Sequence, residues 1–223
     1  MPGSTTSAAL REALERYRDA RLDTRWLVHG RAFMSDLPFV EQYVPRHGFI
    51  VELGCGQGLF SNLLKEVSPA RRVLGLDIDA RKIEVARRTI QGREGLRFEV
   101  SDIVATPPPR CDAVVIVDVL YLLPFEAQEA VLRGAASAVS ENAPVIVKAQ
   151  ERSIGPRYAL TFAQEMMSVS LGLTRGGREL HFPSRDDALD MFHRSGLLAN
   201  VVQMRRRPYT DVVYLARKAP RLG

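Results

Sequence analysis

Beyond residue 48, short apolar runs alternate with amphipathic stretches. Runs at 49–53, 73–77, 96–100, 112–118 and 144–149 predict buried strands, and stretches at about 58–67, 80–91 and 125–139 predict helices between them. Strand and helix in this alternation imply right-handed crossovers, hence a parallel sheet covered on both faces. The end of the chain differs. A helix near 185–194 stops at Ser195-Gly196, and two strand-like runs follow, Ala199–Arg205 and Asp211–Ala216. The link between them is so short that they should pair antiparallel, as a hairpin edge on the parallel sheet. The predicted class is α/β: a doubly wound, mostly parallel seven-stranded sheet with helices on both faces and an antiparallel C-terminal hairpin.

Two regions fall outside this rhythm. Upstream, about 7–22 reads as one helix with Leu10, Leu14 and Tyr17 at helical spacing; a second follows near 34–43, and Pro45-Arg46-His47-Gly48 breaks it. Residues 1–47 are therefore expected to form a helical cap on a main domain of 48–223. Between the fifth strand and the late helix lies an insert of about 150–183. Its helix should begin at Pro156, which suits a first helical turn. It carries Tyr158, Leu160, Phe162, Met166, Met167 and Val169 on more than one narrow stripe. Such a helix wants cover on most sides. Core packing, an apolar ligand pocket, a peripheral membrane contact or a homodimer would each supply it.

Composition changes this picture little. At 223 residues, 46% apolar and 26% charged, the chain can bury a full core without disulfides or metal. Cys55 and Cys111 make no disulfide framework and fit a reducing compartment. His29, His47, His181 and His193 show no metal-ligand spacing with either cysteine, so no metal is expected. The first residues lack the apolar core of a signal peptide, and no run approaches the ~18 apolar residues of a membrane span. The expectation is a soluble, cytoplasmic protein. A formal charge of +5 resides largely in Arg71-Arg72, Arg87-Arg88 and Arg205-Arg206-Arg207. Solvated arginine is the plain reading; attraction to nucleic acid, anionic lipid or an acidic substrate is the functional one. Aromatic residues do not interleave with these clusters, which argues against a nucleic-acid surface.

The stretch "VELGCGQGLF" carries the candidate chemistry. Gly54, Gly56 and Gly58 follow an apolar strand directly, but position 59 is Leu59, where a dinucleotide fingerprint would have its third glycine. No G-K-[ST] follows, so a P-loop is excluded. Glu52 lies within the first strand, and Asp77, Asp102 and Asp118 close the second, third and fourth. A carboxylate at Asp77 can accept both hydroxyls of a ribose. Four acids and no phosphate-binding lysine near the loop favour a cationic or neutral nucleoside over a polyphosphate.

Taken in order, "VELGCGQG", "GLDID", "VSDI" and "DAVVIVDVLYLLP" resemble the four motifs of the class I S-adenosylmethionine-dependent methyltransferases, over residues 48 to 150. The resemblance implies S-adenosylmethionine as cofactor. It implies that Glu52, Gly54, Gly56 and Gly58 surround the methionine part, with Cys55 in the same loop. Asp77 would hold the ribose beside Ile78, Asp102 and Ile103 would flank the adenine, and Asp118 would complete the site. The acceptor is expected above the carboxyl ends of the fourth and fifth strands. Tyr121, Lys148, Glu151, Tyr158 and His181 are the candidates to meet it. Relatives with "DVLHxLP" carry a histidine where this chain has Tyr121, which weakens any claim of histidine base catalysis there. Lys148 either binds an acidic group or pairs with Glu151 or Asp118. Enzymes that methylate exocyclic amino groups of bases resemble one another in a D/N-P-P-Y/F sequence, and this chain has Asp118-Val119-Leu120-Tyr121 instead. The function implied is methyl transfer to a small, apolar or lipid-like acceptor. An RNA methyltransferase using the arginine clusters, or a non-catalytic S-adenosylmethionine-binding protein, remains open as an alternative.

Overall fold

The computed structural model describes residues 4–150, 180–204 and 211–220. Seven strands form one sheet: β1 (Gly48–Leu53), β2 (Arg71–Asp77), β3 (Leu96–Val100), β4 (Ala113–Val117), β5 (Val145–Gln150), β6 (Leu197–Gln203) and β7 (Asp211–Lys218). Their order is β3-β2-β1-β4-β5-β7-β6. The first five pair in parallel, while β7 pairs antiparallel with both β5 and β6. The direction of winding reverses between β1 and β4, and a crevice at the carboxyl ends of the strands is expected at such a switch point.

The central strands are mostly apolar because both of their faces are buried, with Glu52 on β1 and Lys148 on β5 among the exceptions. Ile50, Val73, Val115, Ile146 and Val213 join one core layer; Val51, Leu53, Val114, Ile116, Val145 and Val147 join the other. Helices α4 (Leu59–Val67) and α5 (Ala80–Arg88) cover the first layer, and α6 (Phe125–Ala138) and α7 (Arg185–Arg194) the second. Predicted and observed boundaries agree within a few residues in this part of the chain.

The N-terminal region departs from expectation. The single helix predicted over 7–22 ends early, as α1 (Ser4–Glu15), and a helix that the periodicity did not predict follows, α2 (Leu22–Met34). What was expected near 34–43 shrinks to α3 (Leu37–Glu41). Ser35 caps the end of α2, and Asp36, with φ +40° in the left-handed region, separates it from α3. The outer face of α2 explains why it was missed: Leu22, Trp26 and Phe33 are exposed, while Val28 and Ala32 are buried. Apolar residues on both faces blur the helical period.

Two polar clusters join these helices to the sheet. Ala9, Ala13 and Tyr17 belong to the same core layer as Ile50 and Leu63. The Tyr17 hydroxyl donates to Gln57 O (2.8 Å) and accepts from Asn62 Nδ2 (3.0 Å), which fixes the glycine-rich turn from outside. Arg71 is the second anchor. It is fully buried, ion-paired with buried Glu41 (2.8 Å), and donates to the carbonyls of Val44, Pro45 and Leu64. The grouping of Arg71 with Arg72 as one surface charge pair is therefore corrected. Successive strand residues face opposite ways, so only Arg72 is exposed, over the Phe49 ring. No helix among the described residues is long and apolar enough to cross a membrane. Most of the 150–183 insert, including Glu151, Tyr158 and the apolar residues of its expected helix, lies outside the described residues, as do Arg205–Arg207.

Candidate active site

The crevice at the switch point is a pocket that opens to solvent. Gly54 and Gly56 form its floor, Asp77, Ile78 and Asp79 one wall, Asp102, Ile103 and Val104 another, and Asp118 and Val119 the side towards β5. Arg31 closes it from α2, with Lys82, Leu122 and Leu123 at the remaining edges.

The turn that makes the floor needs its glycines. Gly54 sits at φ +75°, and a Cβ there would lie 2.3 Å from Val119 Cγ2. Gly58 sits at φ +83°, and its Cβ would stand 2.6 Å from the Phe98 ring. The amides of Gly54 and Cys55 donate to Leu76 O (2.7 and 2.9 Å), which binds the turn to β2. Asp77, at the end of that strand, accepts from Gly56 N (2.8 Å) on one oxygen and from Asp79 N (2.9 Å) on the other. Each oxygen keeps a further lone pair for a ligand hydroxyl. Asp102 turns Oδ1 to the amides of Val104 (2.9 Å) and Ala105 (3.3 Å).

Asp118 is the most constrained of the acids. Its backbone is left-handed, φ +56°, an uncommon conformation for a residue with a side chain. Oδ1 accepts from Lys148 Nζ (2.5 Å) and Oδ2 from Ser35 Oγ (2.6 Å). Lys148 is almost wholly buried and lies 3.0 Å from a second carboxylate, Asp211. Burial opposes the charge on Lys148, but Asp118 and Asp211 outweigh it and raise its pKa above the usual lysine value. Asp211 is itself raised, chiefly by burial. Arg31 shows the same competition: burial works against its charge, and Asp118 and Glu52 overcome it. It spends one N–H on Val117 O (2.9 Å) and keeps others for the pocket.

Of the residues selected from sequence, Gly54, Gly56, Asp77, Ile78, Asp102, Ile103 and Asp118 meet at this pocket. Glu52, Cys55 and Gly58 lie behind its floor instead. Glu52 is 1% exposed and accepts from the Ser61 hydroxyl; burial pushes its carboxyl up to about 7. Cys55 is buried, close to Gly75, and burial drives its thiol well above the ordinary range. Gly58 caps the start of α4. Tyr121 is buried and stacks on Phe182 (centroids 5.1 Å apart), and its carbonyl accepts from His181 N (2.8 Å). Neither Tyr121, His181 nor Lys148 lines the pocket. Sequence reasoning missed Arg31, Ser35, Lys82 and Asp211. Val28, Ala32 and Ser35 mark the inner face of α2, and Arg31 shares it; once that helix is recognised, the spacing points to Arg31.

The strand order, the glycine turn and the acids at successive strand ends together define a class I methyltransferase fold. Residues 50–142 match the family described as a methyltransferase domain. Trans-aconitate 2-methyltransferase of Sinorhizobium fredii is 33% identical over 70 residues, which span 31% of this chain and 26% of that protein. Its counterpart in Acidovorax is 33% identical over 81 residues, 36% of this chain and 31% of the relative. The matched region is thus less than a third of either curated relative. Among solved structures, the S-adenosylmethionine-dependent methyltransferase SibL aligns with TM-score 0.72 at 18% identity, over 99% of this chain and 70% of that one. Magnesium protoporphyrin IX methyltransferase of Synechocystis, solved with bound S-adenosylhomocysteine, aligns with TM-score 0.64 at 20% identity, over 97% and 95% of the two chains. Residues 50–142 thus match a methyltransferase domain, and the fold built around them is that of the class I S-adenosylmethionine-dependent methyltransferases.

Proposed function

We propose that the protein transfers a methyl group from S-adenosylmethionine to a small, apolar or lipid-like acceptor by in-line displacement. One observation supports this most: a single pocket offers complementary groups for each end of that cofactor. Asp77 offers two oxygens to a ribose diol, and Ile78, Ile103 and Asp102 offer apolar faces and an acceptor to an adenine. At the other end Arg31 is a cation among acids, suited to the carboxylate of the methionine part, with a full glycine-lined floor beneath it. When bound, the cofactor supplies a methyl group on a sulfonium, already electrophilic. What the chain adds is position: holding nucleophile and methyl in line with water excluded supplies several kcal/mol. Val119, Leu122 and Leu123 give the acceptor side an apolar wall.

The curated relatives support a small acceptor over a macromolecule, since their names give trans-aconitate as the molecule methylated. The test uses pure protein, methyl-labelled S-adenosylmethionine and a cell extract from the host, followed by separation of organic-soluble from acid-precipitable label. Label in the organic phase is expected. Label confined to the precipitate would overturn the acceptor class in favour of RNA or protein. No binding of the cofactor at all would overturn the reading of the site.

A further inference from the structure

Lys148 does not line the pocket, yet three observations tie it to what does. Its ammonium is shared between Asp118 (2.5 Å) and Asp211 (3.0 Å), carboxylates from different parts of the chain. Asp118 Oδ2 takes the hydroxyl of Ser35, the residue that caps α2. One turn earlier on that helix, Arg31 reaches into the pocket and donates to Val117 O, next to Asp118. A continuous path therefore runs from Asp211 on β7, through Lys148 on β5, to Asp118 after β4, and on to α2.

The charges need this arrangement. Asp211 is buried, and its Oδ1 has no hydrogen-bond partner among the described residues. Without the lysine, buried Asp211 and partly buried Asp118 would lose the cation they share, which like-charge repulsion and burial both disfavour. The pair would move apart or take up a proton. Either response weakens the hold on the Asp118 carboxylate that receives Ser35.

We propose that Lys148 is a positioning residue for the cofactor: by fixing the Asp118 carboxylate between itself and Ser35, it seats α2 so that Arg31 meets the amino-acid end of the ligand. The proposal rests on the cofactor reading above. It separates Lys148 from the acceptor, because its ammonium is buried between two protein carboxylates.

The discriminating measurement compares two ligands by calorimetry. S-adenosylhomocysteine carries the amino-acid end; methylthioadenosine has the same nucleoside and thioether without it. Lys148→Met should weaken S-adenosylhomocysteine by about tenfold and change methylthioadenosine by less than about twofold. Ser35→Ala, which leaves the buried charges untouched, should show the same selectivity at about threefold, and it carries the test if Lys148→Met does not fold. Equal losses for both ligands would mean general damage to the site and overturn the proposal, as would unchanged affinity for S-adenosylhomocysteine. If the unsubstituted protein binds neither ligand, the cofactor reading fails first, and the proposal with it.

Discussion

Glu52→Gln is the substitution whose effect the structure specifies most fully. The carboxyl lies on β1 beneath the glycine turn, accepts the Ser61 hydroxyl on Oε2, and has no hydrogen-bond partner for Oε1 among the described residues. Burial raises it from 4.5 to about 7, against the pull of Ser61 and Arg31 in the other direction. An acid with a raised folded-state pKa holds its proton longer in the folded state than in the unfolded one. The contribution of this one group to stability is therefore greatest below about pH 4.5, and it falls as pH rises until the carboxyl has ionised, above about 7. An interval of that size corresponds to about 3 kcal/mol. Glutamine keeps an oxygen for Ser61 and has no charge to bury. Urea unfolding of the ligand-free protein, followed by far-UV circular dichroism, should give variant and parent within about 1 kcal/mol of each other at about pH 5. At about pH 8.5 the variant should be the more stable by about 2–3 kcal/mol. A difference that does not change with pH would refute the reasoning. A variant less stable at the higher pH would show a charged, well-paired Glu52 in the fold.

Two further predictions follow from other parts of the molecule. Asp77→Ala removes the two oxygens proposed for a ribose and the acceptor for the amides of Gly56 and Asp79, so S-adenosylmethionine affinity should fall by about 10- to 100-fold with an unchanged circular dichroism spectrum; equal affinity by calorimetry would remove Asp77 from the site. Arg71→Met leaves the buried Glu41 carboxylate to the more distant Arg46 (3.3 Å) and takes the Arg71 donor from the carbonyls of Val44 and Pro45, and should lower the unfolding free energy by about 3 kcal/mol in urea titrations, whereas Arg72→Met should change it by less than about 1. Equal effects at both positions would contradict the buried pairing.

How much could be read in the sequence depended on how local the signal was. The glycine turn, Asp77 and Asp102 were legible because each sits where an apolar strand run stops, and the strand period fixes which end of the sheet that is. The mostly parallel sheet followed from the same alternation, and its antiparallel edge from the shortness of the last link. Arg31 was not legible, because its placement required α2, whose exposed Leu22, Trp26 and Phe33 obscure the inner stripe. Glu52 illustrates a finer limit. Its place beside the glycines suggested the methionine site, but the strand pleat turns it under the floor, towards Ser61 of α4. Arg71 and Lys148 both looked like charge at a strand end, and what settles each is a carboxylate far away in sequence: Glu41 for one, Asp118 with Asp211 for the other. Pairings of that kind leave no periodic trace.

The strand order also sets a sequence of events in time. β7 is made after β6 but lies between β5 and β6. A chain emerging from the ribosome can assemble β1 to β5 with their helices, yet β6 has no seat until β7 arrives. Until then the edge of β5 stays open, a template for wrong pairing. β7 also brings Asp211, so Lys148 waits for its second carboxylate through the same interval. A nascent chain halted after β6 would contain all the described pocket-lining residues and still have an unfinished clamp on Asp118. Binding competence should thus appear late, with β7, and a chaperone guarding the β5 edge would protect the fold and the site at once.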